Sequence, residues 1–200
     1  MLVPVIAIFE DTAAQVVTQV ATPRVITPPS GNVAFLFGHA MGTQGYTCLR
    51  SGDGTNAWTV NPARPEATLF TEGLGQPEQI VTHFVSPDVN PNQNAPRELP
   101  PGGNATWQSS SDSSRVWATA TGHIDAGSDA SCPNTGSLSC LLLQSIGNMA
   151  GPSGGDLLDK VTYIQRLNTK GGSVPRTACS AGQTQLVDYT ADYYFFRAGK

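Results

Sequence analysis

The chain has 200 residues, with 11 Lys+Arg against 15 Asp+Glu, a formal net charge of −4 and 13% charged residues, about half the share usual in soluble proteins. Mild acidity without Lys/Arg clusters lacks the electrostatic footprint of a nucleic-acid binder. No run reaches the roughly 18–20 apolar residues of a membrane-spanning helix, and few helix formers recur at helical spacing, which argues against a bundle.

Residues 1–22 stand apart. Positions 1–9 are apolar but have no basic flank and run directly into Glu10-Asp11, so they are too short for a span and poor as a signal peptide. They read as a signal remnant or a disordered segment, with a single all-β domain expected over 23–200. Residues 33–37 form an apolar run suited to a buried strand, and the Gly38-His-Ala-Met-Gly42 segment predicts an exposed turn that carries His39. Strands follow at 44–49, 57–60, 67–70 and 79–85, with turns at 51–54 and 73–75. Residues 87–103 hold five prolines, a density that admits neither helix nor strand, and predict a long surface loop. Further strands are expected at 105–108 and 115–121, then an irregular stretch at 122–136. The most apolar run, 138–146, predicts a central strand, and 156–159 one helical turn. Residues 161–167 alternate, with Val161, Tyr163, Gln165 and Leu167 on one face and Thr162, Ile164 and Arg166 on the other. Aromatic β-formers occupy 189–197. About ten short strands predict an antiparallel β-sandwich or barrel with long inserted loops.

Cys48, Cys132, Cys140 and Cys179 allow three pairings, and none lies in a C-x-x-C motif. A turn-rich Pro-Asn-Thr-Gly segment follows Cys132, which favours 132–140 and leaves 48–179. An even count in a weakly charged chain points to an exported protein, secreted or in the periplasm or cell envelope.

The C-terminal third runs Val161-Thr-Tyr-Ile-Gln-Arg-Leu-Asn-Thr-Lys-Gly-Gly172, then Pro175 and Cys179, then Tyr189-Thr-Ala-Asp-Tyr-Tyr-Phe-Phe196. Upstream stand Gly42-Thr-Gln-Gly-Tyr-Thr-Cys48, Trp58, Pro65-Glu-Ala-Thr-Leu69, His83, Trp107 and Asp112-Ser-Ser-Arg-Val116. In this order the motifs closely resemble the domain-of-unknown-function family 3455. The resemblance implies an all-β secreted or envelope protein of unassigned activity and supports pairing Cys48 with Cys179. Some fungal members bear the name malate dehydrogenase. The strand–GxGxxG–helix unit for such chemistry is lacking here, so the chain is not read as a dehydrogenase.

No serine stands in the strand–turn–helix context of a nucleophile elbow. Oxygen-rich loops at Asp53-Gly-Thr-Asn56, at Asp88 with Asn90, Asn92 and Asn94, and at Asp125 with Asp129 are where Ca²⁺ would bind, although ordinary Asx turns explain them equally. A cation held by Asp88, Asp125 and Asp129, with His83 or His123 as proton carrier, would hydrolyse a small ester or lactone such as an N-acyl-homoserine lactone. Arg166, mid-strand among apolar neighbours, calls for a carboxylate, and Glu66 is the candidate. Gln165 and Asn168 are candidates to line a pocket, and Trp58, Trp107, Trp117 and Tyr46 to form a sugar-stacking platform, with Trp107 the chosen ligand contact. Three functions follow as expectations: a calcium-assisted hydrolase, a carbohydrate- or cell-wall-binding module, and a non-catalytic structural or stress-related envelope protein.

Overall fold

The structure is a computed structural model that describes residues 17–60, 64–73, 75–86 and 103–199. Aromatic and β-branched runs separated by glycine turns give β1 (Asn32–Arg50), β2 (Asn56–Thr59), β3 (Pro65–Gly73), β4 (Gln76–Ser86), β5 (Asn104–Ser109), β6 (Arg115–Ile124), β7 (Cys140–Met149), β8 (Tyr163–Gly171) and β9 (Thr184–Ala198). All pairings are antiparallel within one sheet, in the order β2-β1-β3-β4-β5-β6-β7-β8-β9. Pairing of β1 with β9, from Asn32 opposite Ala198 to Thr47 opposite Thr184, closes the sheet into a ring. The all-β antiparallel expectation holds. Among the described residues the helical content is one 3₁₀ turn, Arg24–Ile26, and 156–159 forms a hydrogen-bonded turn rather than a helical one.

The two strands expected at 33–37 and 44–49 are one 19-residue strand, β1, and the turn expected around His39 is its middle. Glycines there serve packing rather than reversal. Gly38 stands opposite Tyr193 and Gly42 opposite Tyr189, so each missing side chain leaves room beside a large cross-strand ring. At Gly42 a Cβ would lie 2.0 Å from the Glu66 carbonyl oxygen, which only glycine permits.

Strand alternation sorts the side chains into two clusters. Ala40, Leu69, Val81, Trp107, Val116, Leu143, Ile164, Tyr189, Tyr193 and Phe195 fill the interior. Ile26, Cys132, Cys140, Leu142, Leu167, Tyr194 and Phe196 form a second cluster on the outer face, covered by the segment leading into β1 and by the loop after β6. The leading segment takes part in the fold before the expected boundary at 23: Val17 packs on the outer cluster, and Gln165 Nε2 donates to the Ile26 carbonyl at 2.6 Å and to Thr22 Oγ1 at 3.3 Å.

Both expected disulfides are present, Cys48–Cys179 and Cys132–Cys140, and no cysteine is free. They close loops with separations of 131 and 8 positions. Chain entropy gives roughly 5 kcal/mol for a loop as long as the first and roughly 2–3 kcal/mol for the second. Replacing Cys48 and Cys179 together by alanine is expected to lower the unfolding free energy by about 4–5 kcal/mol in non-reducing urea titrations. A loss below about 1 kcal/mol would contradict the chain-entropy account.

Candidate functional site

Two places concentrate functional groups. The first lies at the end of the ring where β1 and β8 finish and β7 and β9 begin. Tyr46, Trp58, Thr59, Val60, Ser137, Leu138, Ser139, Ser173 and Val174 line a cleft of about 490 Å³. Its walls are held firmly. Tyr46 donates its hydroxyl to the Gly172 carbonyl, and Trp58 donates Nε1–H to the Thr177 carbonyl at 2.9 Å. The Cys48–Cys179 disulfide, with Cys48 N–H on the Gln183 carbonyl and Gly182 N–H on the Cys48 carbonyl, ties β1 to the opposite wall.

Behind Tyr46 and Ser139 lies Arg166. It shares the inward face of β8 with Ile164, and Nη2 donates to the Ser139 carbonyl at 2.9 Å. Arg166 is 9% exposed, and its Nε has no partner among the described residues. Its charge reaches Tyr46, Tyr189 and His83. Burial raises both phenols, with Arg166 pulling the other way. His83 is buried and stacked on Trp107, with centroids 4.1 Å apart and planes 6° apart, and its Nδ1 sits 2.9 Å from the Thr106 carbonyl. A carbonyl only accepts, so Nδ1 carries the proton. Burial pushes the imidazole down to about 4, against the Thr106 hydrogen bond and with a smaller push from Arg166.

The second place is the outer face of β1, β3 and β9. His39 Nδ1 lies 2.8 Å from Asp192 Oδ1, and Asn168 Nδ2 donates to Asp192 Oδ2 at 3.1 Å. Asn168 reaches it from a bulge in β8, where it adopts φ of 48°, a conformation asparagine tolerates better than most residues. Because the carboxylate accepts only, the His39 Nε2 is left as the basic nitrogen. Alongside is an apolar cleft of about 660 Å³ lined by Phe37, His39, Met41, Phe70, Thr71, Glu72 and Pro77.

A family model described as a protein of unknown function, DUF3455, matches residues 29–197. The chain belongs to the DUF3455 family. No curated protein matches it, and no solved structure does.

In this DUF3455 protein the sequence-predicted residues are dispersed. His83 is enclosed in the ring, whereas His123 is exposed on β6. Val116 on β6 lies two strands over from His83, by way of Trp107 on β5, and His123 lies seven positions further along β6, about 23 Å at the rise of a strand before the offset across the sheet is added. The structure therefore does not bring the two imidazoles together. Asp129 accepts from Ser131 N–H and Oγ, which hold its carboxyl below the usual range, as in an Asx turn. Asp53 does the same for Ser51 and Thr55, and the hydroxyl of Ser51 with the N–H and hydroxyl of Thr55 draws it to about 2. Asp125 is exposed in the loop after β6, and Asp88 lies outside the described residues. Among the described residues no three His, Cys, Asp or Glu side chains are grouped to hold a metal ion.

The expected Glu66–Arg166 ion pair does not form. Ala67 and Leu69 point inward on β3, so Glu66 points out and is exposed, while Arg166 points in. Gln165 does not line a pocket but binds the leading segment, and Asn168 sits beside the His39–Asp192 pair. Trp107, Trp117 and Tyr46 are all buried, so of the four aromatics only Trp58 offers a partly exposed face at the end cleft. Asp192 and the cleft serines went unnoticed in the sequence. The one signal for Asp192, its place one strand across from His39, needs the register to be known.

Burial of His83 makes stability pH-dependent with a definite sign. Above pH 6.5 both folded and unfolded forms are neutral. Below it the unfolded chain takes up a proton that the folded one refuses until about 4, so stability falls as pH drops through this window and levels off beneath it, a total on the order of 3 kcal/mol. Urea titrations between pH 7 and pH 4.5 should show this loss, and His83→Phe should flatten it. A wild-type profile that is flat there would contradict a neutral, buried His83.

Proposed function

We propose that this DUF3455 protein is an exported binding protein that holds a sugar-like ligand in the end cleft. The observation that carries the reading is the convergence of the partly exposed Trp58 with Ser137, Ser139 and Ser173 around one cavity whose wall includes Tyr46. Aromatic faces stack on the C–H faces of a sugar ring, and hydroxyls answer its polar edge. Cross-linking by Cys48–Cys179 favours binding because little ordering remains to be done when the ligand arrives. Two disulfides suit an oxidising, extracytoplasmic compartment. Among the described residues no helix is long and apolar enough to cross a membrane. Soluble oligosaccharides are expected to change tryptophan fluorescence saturably. Trp58→Ala should weaken binding by about tenfold or more, the usual scale of a stacking anchor, with the circular dichroism spectrum unchanged. Unaltered affinity in a folded Trp58→Ala protein would remove the cleft as the site.

The His39–Asp192–Asn168 array favours a second reading, hydrolysis of a small ester or lactone. Asp192 would orient the ring and stabilise its protonated form, while Nε2 takes a proton from an attacking water beside Phe37 and Phe70. On this reading p-nitrophenyl ester hydrolysis falls by about 10²-fold or more in His39→Ala and withstands EDTA. A calcium-assisted route through His83 and His123 gives the opposite pattern, lost with EDTA and indifferent to His39→Ala.

A further inference from the structure

The outer-face cleft beside His39 is largely apolar. Phe37, Met41, Phe70 and Pro77 wall it together with Thr71 and Glu72, and its volume of about 660 Å³ is that of a small-molecule site. The walls are unevenly placed around His39. His39 stands opposite Phe70 across β1 and β3, and Glu72 stands opposite Pro77 across β3 and β4. Because β1 and β3 are antiparallel, Phe37, Glu72 and Pro77 lie to one side of His39, and Met41 lies to the other. Phe37 is held against Tyr194, with ring centroids 4.9 Å apart, so the larger side is a wall already in place. At the rise of a strand, the stretch from His39 to Phe37 is about 7 Å long, and Pro77 prolongs it. No lysine or arginine lines the cleft, and Glu72 stands in its wall, so nothing there answers an anionic group.

We propose that the substrate of this site is a neutral ester whose apolar acyl group is of medium length, such as an octanoyl chain lying over Phe37, Phe70 and Pro77. This names the substrate class of the hydrolytic reading and rests on it. The ester carbonyl then faces His39, whose Nδ1 is engaged by Asp192. Nε2 takes a proton from water as the water oxygen bonds to the carbonyl carbon. The bond from that carbon to the ester oxygen breaks, and the departing alkoxide receives the proton, leaving an acid and an alcohol. The chain adds affinity by leaving water, up to roughly fourfold for each methylene fully buried. That gain stops where the wall ends, which sets the preferred length.

The test is kcat/KM of the unaltered protein for p-nitrophenyl acetate, butyrate, octanoate and laurate, each below the concentration at which it forms micelles. The value is expected to rise at least about tenfold from acetate to octanoate and to rise no further at laurate. Phe70→Ala should lower the ratio of octanoate to acetate by at least about threefold, because the chain loses a wall. Equal values along the series, or a rise that continues through laurate, would overturn the acyl preference and leave the hydrolytic reading standing. Absence of hydrolysis for every ester would remove both. The wild-type series decides the matter even where Phe70→Ala fails to fold.

Discussion

Everything in this molecule hangs on the ladder between β1 and β9. Without it the sheet would be an open ribbon with a long exposed edge, the arrangement that invites pairing with other chains. Joining the two ends in register from Asn32–Ala198 to Thr47–Thr184 removes both edges and encloses an interior. The ladder works because its two strands are complementary in volume. Gly38, Ala40 and Gly42 on β1 face Tyr193, Ala191 and Tyr189 on β9, so the rings lie over the glycines instead of colliding with side chains. Larger residues at Gly38 or Gly42 would meet Leu69 or the backbone of β3 at once. Closure is therefore bought with small residues on one long strand, and the aromatic core follows from it.

Closure also dictates where chemistry is placed. A ring packed with Trp107, Tyr189, Tyr193 and Phe195 has little room inside, so ligands are met at its end or on its outer face. The end cleft forms because β1 runs on past β3, pairing with β2 on one side and β9 on the other. That overhang carries Tyr46 and Cys48, and the disulfide to Cys179 folds the segment before β9 back against it. On the outer face Gly122 lets the leading segment approach the sheet, since a Cβ there would lie 2.0 Å from the Val25 carbonyl oxygen. Ile26 then caps the cluster around the second disulfide.

The sequence was most legible where alternation was unbroken. From Tyr163 to Leu167 the faces are those read from the pattern, with Ile164 inside and Leu167 outside, whereas Val161, ahead of the start of β8, packs in the interior with Ile164 instead of sharing the face of Leu167. The all-β class and the Cys132–Cys140 pairing were equally legible, because turn residues and a short cysteine spacing are local signals, whereas Cys48–Cys179 rested on being the remaining pair and on the family resemblance. Gly38-His-Ala-Met-Gly42 misled because glycine marks a turn and a close strand approach by the same letter, and only the partner strand tells them apart. The Glu66–Arg166 pair does not form, since each strand's facing direction is fixed by its own neighbours and puts the two side chains on opposite faces. Tyr46 joined to Trp58, and His39 to Asp192, are products of register across the ring, which no local pattern encodes.

Electrostatics inside the ring follow from the same enclosure. His83 and Arg166 are both basic, and two positive charges in a dry aromatic chamber would repel. Burial resolves this by keeping His83 neutral, its proton on Nδ1 held by the Thr106 carbonyl and its face on Trp107. The guanidinium has no such escape, because arginine does not give up its proton in proteins. Strand alternation turns the carboxylates of Glu66 and Asp192 to the outside, where Asp192 is engaged by His39 and Asn168. Among the described residues the interior is thus left with one fixed positive charge, behind the Tyr46–Ser139 wall. An uncompensated charge of that kind is stable only if the rest of the fold holds it firmly, and the ladder, the disulfide and the Ser139 carbonyl all act at that end of the ring.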